Sequence, residues 1–455
     1  MSFAESSHVL DTSMKIMEEA SVCDHCLGRQ FAWLGTGTTN QQRGQSIKLA
    51  LLMTAHEMLK TGNGETGRKM ISTLASKGLY KPAQRLAEEE GIEAPSQEQC
   101  EFCSVNGNSV FEEIHDLSER ILGLSQKFEF DTFLVGSVPP PALVEKQDEL
   151  NARLSLMHAE TLKSHFNREL GRVLSARLGR DVDFDRPDVV FIIDMEKNEV
   201  VVQINPVFVY GRYRKLKRGI PQSRWDCSAC RGRGCDECGG TGRRYQDSIS
   251  EYIGEPSQKL LQGSRFKVHA AGREDIDVLM LGEGRPFVVE VSEPKIRKPN
   301  LADLRKKINK HAKKKVEVSE LLLTDRERLQ HLKSESSQNI KEYHALIEAE
   351  REITEAELRA VELKFRDTKI EQRTPQRVAH RRSDLVREKR VIELKIRRRR
   401  DKTLEAQLRV QGGTYIKELI SGDDGRTNPS ISGVLGIPCR CVELNVTAIY
   451  ADEPP

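Results

Sequence analysis

The chain has 455 residues, too many for one ordinary hydrophobic core, so two to four domains are expected. No apolar run approaches the ~18–20 residues that span a bilayer, and nothing resembles a signal peptide, which points to a soluble, cytoplasmic protein. Formal net charge is only +3, yet residues 211–244 carry ten Lys/Arg against three acids, 295–315 ten against one, and 371–400 twelve against four. Concentrated basic segments in an otherwise acidic chain suit a protein that holds a polyanion on one surface and stays soluble elsewhere.

Residues 1–122 read as mainly helical, with Gln42 to Lys60 forming an amphipathic helix that Gly62 and Gly64 end. Two Cys-x-x-Cys pairs, Cys23/Cys26 and Cys100/Cys103, bracket this stretch. Each such turn presents two thiolates to a metal, and two turns complete a closed tetrahedral site, so one structural zinc is expected here. From Phe128 the pattern changes to α/β. The apolar run Phe133 to Val138 stops at Pro139-Pro140-Pro141, and a helix is expected over 145–178. Val189 to Asp194 and Val200 to Asn205 then read as a hairpin across Lys197-Asn198. Tyr210, Arg212, Tyr213, Arg214, Lys215 and Lys217 interleave aromatics with cations, making Arg212 and Arg214 candidate RNA contacts.

Cys227-Ser228-Ala229-Cys230-Arg231-Gly232-Arg233-Gly234 is followed at once by Cys235-Asp236-Glu237-Cys238-Gly239-Gly240-Thr241-Gly242. Glycines after each pair permit the tight turns that aim backbone amides at thiolates. Four cysteines so close can shut one zinc site with little loop entropy, and the doubled pairs argue against a redox dithiol. Of the ten cysteines only Cys439 and Cys441 remain, and these read as packing residues.

Residues 272–294 bear the strongest mark of chemistry. Gly272-Arg273 leads into Asp275 and Asp277, Gly282 and Gly284 interrupt, and Phe287 to Val291 reads as a buried strand, so a strand hairpin is expected. A carboxylate at a loop-to-strand junction is fixed by the scaffold yet open to substrate. On a strand, Asp277 would share a face with Asp275 and is its local rival. The rest of 246–455 offers a basic helix over 301–321, a strand near Tyr343, a charged helix over 350–366, the Arg-rich segment and a terminal strand Val442 to Tyr450. Without a regular βαβ rhythm, an α+β fold with an antiparallel or mixed sheet is preferred.

Four blocks carry a family resemblance: Cys23-Asp24-His25-Cys26-Leu27-Gly28-Arg29, the segment from Gly272 to Phe287, Gln372 to Arg382, and Gly412 to Thr427. Together they resemble the archaeal tRNA pseudouridine synthases that modify positions 54 and 55 of the T-arm. One departure is Leu279, where the family carries an arginine after Asp-Val.

The resemblance implies a multidomain α+β protein. Its parts would be a zinc-bound helical module (1–122), a THUMP-like α/β RNA-binding domain (123–225), a tandem zinc knuckle (226–245) and a pseudouridine synthase domain (246–455). It implies Asp275 as the catalytic carboxylate, within an Arg-x-Asp core that begins at Arg273. Lys417 would be its counter-charge, Leu419 would pack on the target ring, and Tyr343 would stack on the uracil. Arg373, Arg377, Arg381 and Arg382 would grip phosphates. The expected partner is tRNA through its T-arm, with structural zinc, no organic cofactor, no membrane and no evident protein partner. The carboxylate route leaves covalent attack and proton abstraction both open.

Other classes fit less well. A zinc deaminase needs His-x-Glu with Pro-Cys-x-x-Cys, and Pro438-Cys439-Arg440-Cys441 is one residue short. A methyltransferase needs a glycine-rich strand–loop–helix, and Gly282-Glu283-Gly284 opens none. A non-catalytic zinc-containing tRNA-binding protein is the remaining alternative, in which Asp275, Lys417 and Tyr343 would not converge.

Overall fold

The computed structural model describes residues 8–95, 99–335, 339–381 and 383–450. The chain divides at Asn205/Pro206 into two compact units.

In the first unit the expected amphipathic helix runs Asn40–Thr61. Thr39 and Gln42 close a capping box at its start, and Gly62 takes the left-handed conformation that ends it. A four-stranded sheet follows, built from β1 (Thr132–Val138), β2 (Asp181–Val182), β3 (Val189–Asp194) and β4 (Glu199–Ile204) in the order β2–β1–β3–β4. Only β3 and β4 are antiparallel, and they form the expected hairpin. The single helix expected over 145–178 is two helices, Pro141–Leu154 and Leu162–Leu178. Ser155 leaves the first in a left-handed conformation, and the Thr161 side chain accepts from Ser164 N–H to start the second. One continuous core reaches from Ile16 through Phe111 and Phe166 to Met195. The cysteine-bearing helices and the α/β layer are therefore one body, not two separated at residue 122.

The second unit begins earlier than expected. β5 (Val207–Lys215), anticipated in the THUMP-like domain, is a member of the second unit's eleven-stranded sheet. The other strands are β6 (Arg265–Ala270), β7 (Leu279–Ser292), β8 (Val316–Val318), β9 (Leu322–Thr324), β10 (Ile340–Ala349), β11 (Thr368–Arg373), β12 (Val386–Arg400), β13 (Thr403–Gln411), β14 (Thr427–Asn428) and β15 (Cys439–Tyr450). Their order is β8–β5–β7–β15–β10–β13–β12–β11–β14, with β9 also on β5 and β6 also on β7. Every pairing is antiparallel except the short parallel contact of β7 with β15, so the sheet is mixed, as the sequence suggested. Helices Ile249–Leu261, Leu301–His311 and Glu355–Lys364 bury apolar faces in one core with the sheet. The basic helix ends at His311, and the chain that was expected to continue it turns into β8 and β9.

β7 also differs from expectation. Gly282 and Gly284 lie within one continuous strand, not at a hairpin turn. Both have positive φ, and a Cβ at Gly282 would fall 1.9 Å from the Thr447 carbonyl, one at Gly284 2.6 Å from the Tyr213 carbonyl. They form a bend that lets β7 pair with β5 along most of its length and with β15 at its first residues. Replacing Gly284 with Ala should destabilise the second unit by about 1–3 kcal/mol, lowering its melting temperature by several degrees. An unchanged thermal transition would show that the bend does not require glycine.

Candidate active site and metal centres

The segment from Ala271 to Val278 is a loop between β6 and β7, and its backbone is held from beneath. Lys215, fully buried at the end of β5, donates to the carbonyls of Asp275 (3.2 Å) and Ile276 (2.8 Å). Gly219 N–H reaches the Ile276 carbonyl at 2.9 Å, and Arg218 donates to that of Asp277. Gln222 donates to the Gly272 carbonyl at 3.0 Å, and Arg285 Nη1 to that of Ala271 at 2.6 Å. Glu274 turns inward, 2.8 Å from Arg285 Nε, with both side chains 1% exposed, and accepts from the Tyr213 hydroxyl at 3.1 Å. Burial lowers Lys215 to about 8 despite the opposing acids Glu274, Asp277 and Asp275.

With its backbone fixed, the loop presents Asp275 and Asp277 outward. They do not lie on a strand, as the alternation had suggested. Val278 N–H bonds the Asp275 carbonyl at 3.1 Å, making a turn, and β7 starts only at Leu279. Two cations from distant segments meet these carboxylates. Lys417, in the first turn of the helix Ile416–Ser421, lies 2.7 Å from Asp277 Oδ2 and 3.5 Å from Asp275 Oδ2. Arg377, from the turn Gln376–Arg381, lies 2.9 Å from Asp275 Oδ2. Its Nε is 2.6 Å from Glu418, a carboxylate only 6% exposed, which fixes the guanidinium's direction. Burial disfavours the charge on Asp277, but the hydrogen bonds and charge of Lys417 prevail and lower its pKa. Sequence reasoning placed Arg377 among phosphate contacts, whereas here it is the nearest cation to Asp275.

Tyr343 on β10 pairs with Leu408 of β13 and Val446 of β15, and Val446 in turn pairs with Met280, just after the loop. Burial pushes its phenol up to about 12, and Asp275 lies close enough to add to the shift. Asp275 and Lys417 thus meet, with Tyr343 within electrostatic range of Asp275.

Other expected residues are placed differently. Leu419 is fully buried in the core and offers no surface to a ring, so it packs behind the site. Arg273 points away from the carboxylates and stacks on Trp225 at 5.6 Å, where Arg244 also packs, beside the cysteine knuckle. Arg212 is committed to the carbonyls of Glu283, Gly284 and Ile449, and Arg214 to Glu317. Arg373 pairs with Asp384 at 2.6 Å. Arg382 and the Arg381 side chain lie outside the described residues.

Both expected cysteine sets assemble: Cys23, Cys26, Cys100 and Cys103 in the first unit, and Cys227, Cys230, Cys235 and Cys238 in the second. A tetrahedron with metal–sulfur bonds of ~2.3 Å has sulfur–sulfur edges of ~3.8 Å. The Cys23–Cys103 separation is 3.6 Å, and Cys227–Cys235 and Cys230–Cys238 are each 3.9 Å, so the sulfurs are spaced to hold a metal ion. Amides of Gly234 and Gly242 point at the sulfurs of Cys230 and Cys238 at 3.2 and 3.1 Å, as the glycine pattern implied.

A carboxylate held by Arg and Lys at a loop beside a mixed sheet defines the class when set beside known sequences. The profile described as Pus10, C-terminal, matches residues 208–450, and that of the archaeal Pus10 THUMP domain matches residues 117–194. The protein is an isomerase of the pseudouridine synthase class. More narrowly, the chain belongs to the Pus10 family: it is 40% identical to the tRNA pseudouridine synthase Pus10 of Methanothrix thermoacetophila, over 97% of this chain and 94% of that one. The same-named protein of Methanocaldococcus jannaschii is 39% identical over 96% and 93%. A solved Cbf5–Nop10–Gar1 complex overlaps 44% of this chain and 45% of its counterpart at 18% identity and a TM-score of 0.28, too slight an overlap to bear on the argument.

Metal analysis of the purified protein should return about two ions per chain, one for each closed four-thiolate set. Replacing Cys227 and Cys238 together with Ser should lower the count to one. A count unmoved by that double substitution would eliminate the knuckle as a metal centre.

Proposed function

We propose that this protein converts uridine 54, uridine 55 or both in the T-arm of tRNA to pseudouridine, with Asp275 as the reacting carboxylate. The observation that carries this reading is the contact of Asp275 with both Arg377 and Lys417 on a loop whose carbonyls are already anchored. The isomerisation breaks the C1′–N1 bond, turns the uracil and joins C1′ to C5, with a proton leaving C5 and one taken up at N1. Net oxidation state is unchanged, so one positioned carboxylate suffices, whether it attacks covalently or removes a proton. Arg377 and Lys417 fix its rotamer and offset its charge through Oδ2, leaving Oδ1 to the substrate.

Tyr343 supports the same reading as a stacking face for a uracil extruded from the folded T-loop, worth about 1–3 kcal/mol per stacked base. Lys417 reaches both carboxylates, so Asp277 serves as the acid that positions this cation. The all-thiolate, closed cysteine sets favour zinc with a structural role. The first unit, with its THUMP-type segment, would engage another part of the same tRNA. Among the described residues no helix is long and apolar enough to cross a membrane, and we place the reaction in the cytoplasm with tRNA.

Mapping pseudouridine in unmodified tRNA tests the assignment. Asp275→Asn should abolish product while leaving tRNA affinity within about tenfold, roughly 1.4 kcal/mol. Asp277→Asn should retain measurable turnover, because it loses an orienting partner and not the reacting group. If Asp277→Asn were inactive and Asp275→Asn active, the two roles would be reversed. Normal modification by both variants would end the carboxylate mechanism for this chain.

A further inference from the structure

Lys341, on β10, has no role in the proposed reaction. It precedes Tyr343 by two residues on β10, so both side chains rise from the same face, and it is only 5% exposed. Among the described residues its ammonium has neither a hydrogen bond nor an ion pair. Three charged groups face it: Arg285 from β7, Glu274 from the catalytic loop and Lys389 from β12. Glu274 is the one carboxylate of the three, and Arg285 and Tyr213 already hold it. Three cations therefore surround one committed acid. A nearly buried lysine without a counter-charge is costly, and the neutral uracil ring does not offset it.

The ammonium packs directly against glycine backbone, where any side chain would collide with it. A Cβ on Gly272 would lie 2.9 Å from Lys341 Nζ and 3.2 Å from Arg285 Nη1, so the two nitrogens are at most about 6 Å apart. Lys389 lies against Gly413 in the same way, 3.2 Å from where a Cβ would be, and donates to the Gly412 carbonyl at 2.9 Å. Two backbone segments without side chains thus border a cluster of positive charge on the Tyr343 face.

We propose that Lys341, with Lys389 beside it, receives a backbone phosphate of the nucleotide whose base stacks on Tyr343. This rests on the RNA-substrate reading given above. A phosphate supplies the missing negative charge and several acceptor oxygens at once. In the free protein, burial and repulsion by Arg285 and Lys389 lower Lys341 to about 7, against the pull of Glu274. A bound phosphate favours the charged ammonium and raises that pKa. Binding therefore takes up a proton above pH ~7, and RNA affinity falls as pH rises further.

Affinity for an unmodified tRNA transcript, measured on the full chain between pH 6.5 and 8.5 and across salt, tests this. The wild-type protein should lose about tenfold in affinity over that range. Lys341→Met should bind more weakly, lose the pH dependence, and show a log–log salt slope smaller by about 0.7–0.9, with KM raised more than kcat is lowered. Lys341→Arg, permanently charged, should recover affinity at high pH without the pH dependence. Tight binding by the wild type that is flat with pH, or an unaltered salt slope in Lys341→Met, would overturn the phosphate seat while leaving the substrate reading intact. Failure of the wild type to bind tRNA at any pH would overturn the substrate reading itself.

Discussion

The site depends on a carboxylate held above a loop whose own backbone is pinned from below. Asp275 and Arg377 are each more than a third exposed, so their ion pair adds little to folding stability, on the order of 0–1 kcal/mol. Its consequence is geometric: a guanidinium gripped through Nε and Nη2 by Glu418 presents Nη1 to Asp275 and selects one rotamer of the acid. The stability resides one layer deeper. Glu274 and Arg285 are almost wholly buried, and removing either would leave an uncompensated charge at a cost of about 3–5 kcal/mol. Lys215, Gly219 and Gln222 then capture loop carbonyls that would otherwise face solvent or each other.

Sheet topology explains why residues far apart in sequence meet here. β7 emerges from the loop, pairs with β15, and β15 lies beside β10, so Tyr343 arrives two strands from Asp275. β13 leads through Gly412-Gly413 into the helix that bears Lys417, while β11 leads into the turn that bears Arg377. The short parallel contact between β7 and β15 breaks the antiparallel pattern where the loop must be held against the sheet. The knuckle is coupled to the same loop, because Trp225 stacks with Arg273 and Gln222 binds Gly272. A four-thiolate cluster that contributes no reactive position can still influence, through these contacts, where the carboxylate sits.

Much of this was legible in the sequence where spacing is rigid. The tandem cysteine pairs, the Gln42 to Lys60 helix and the hairpin around Asn198 each follow from local patterns that tertiary context left alone. The readings that shifted are those where a local pattern was overruled. Asp275-Ile276-Asp277-Val278 alternates like a strand, but buried Lys215 draws two successive carbonyls downward and forces a turn. Gly282 and Gly284 look like a hairpin turn and are instead a bend within one strand, since neighbouring carbonyls occupy the space of their side chains. Arg377 was hidden among the other arginines, because pairing with Asp275 is a long-range property that composition does not carry. Lys215 left a signal: the buried alternation Val207, Val209, Gly211, Tyr213 continues directly onto it, marking a lysine forced inward.

Joining C1′ to C5 must expel the hydrogen at C5, so release of tritium from tRNA transcribed with [5-³H]uridine follows the bond change itself. The account predicts that the wild-type protein releases one or two equivalents per tRNA, all from the T-loop, and that Arg377→Gln combined with Lys417→Met slows release by at least about a hundredfold, roughly 2.7 kcal/mol. No release by the wild type, or release at an unaltered rate after both cations are removed, would contradict it.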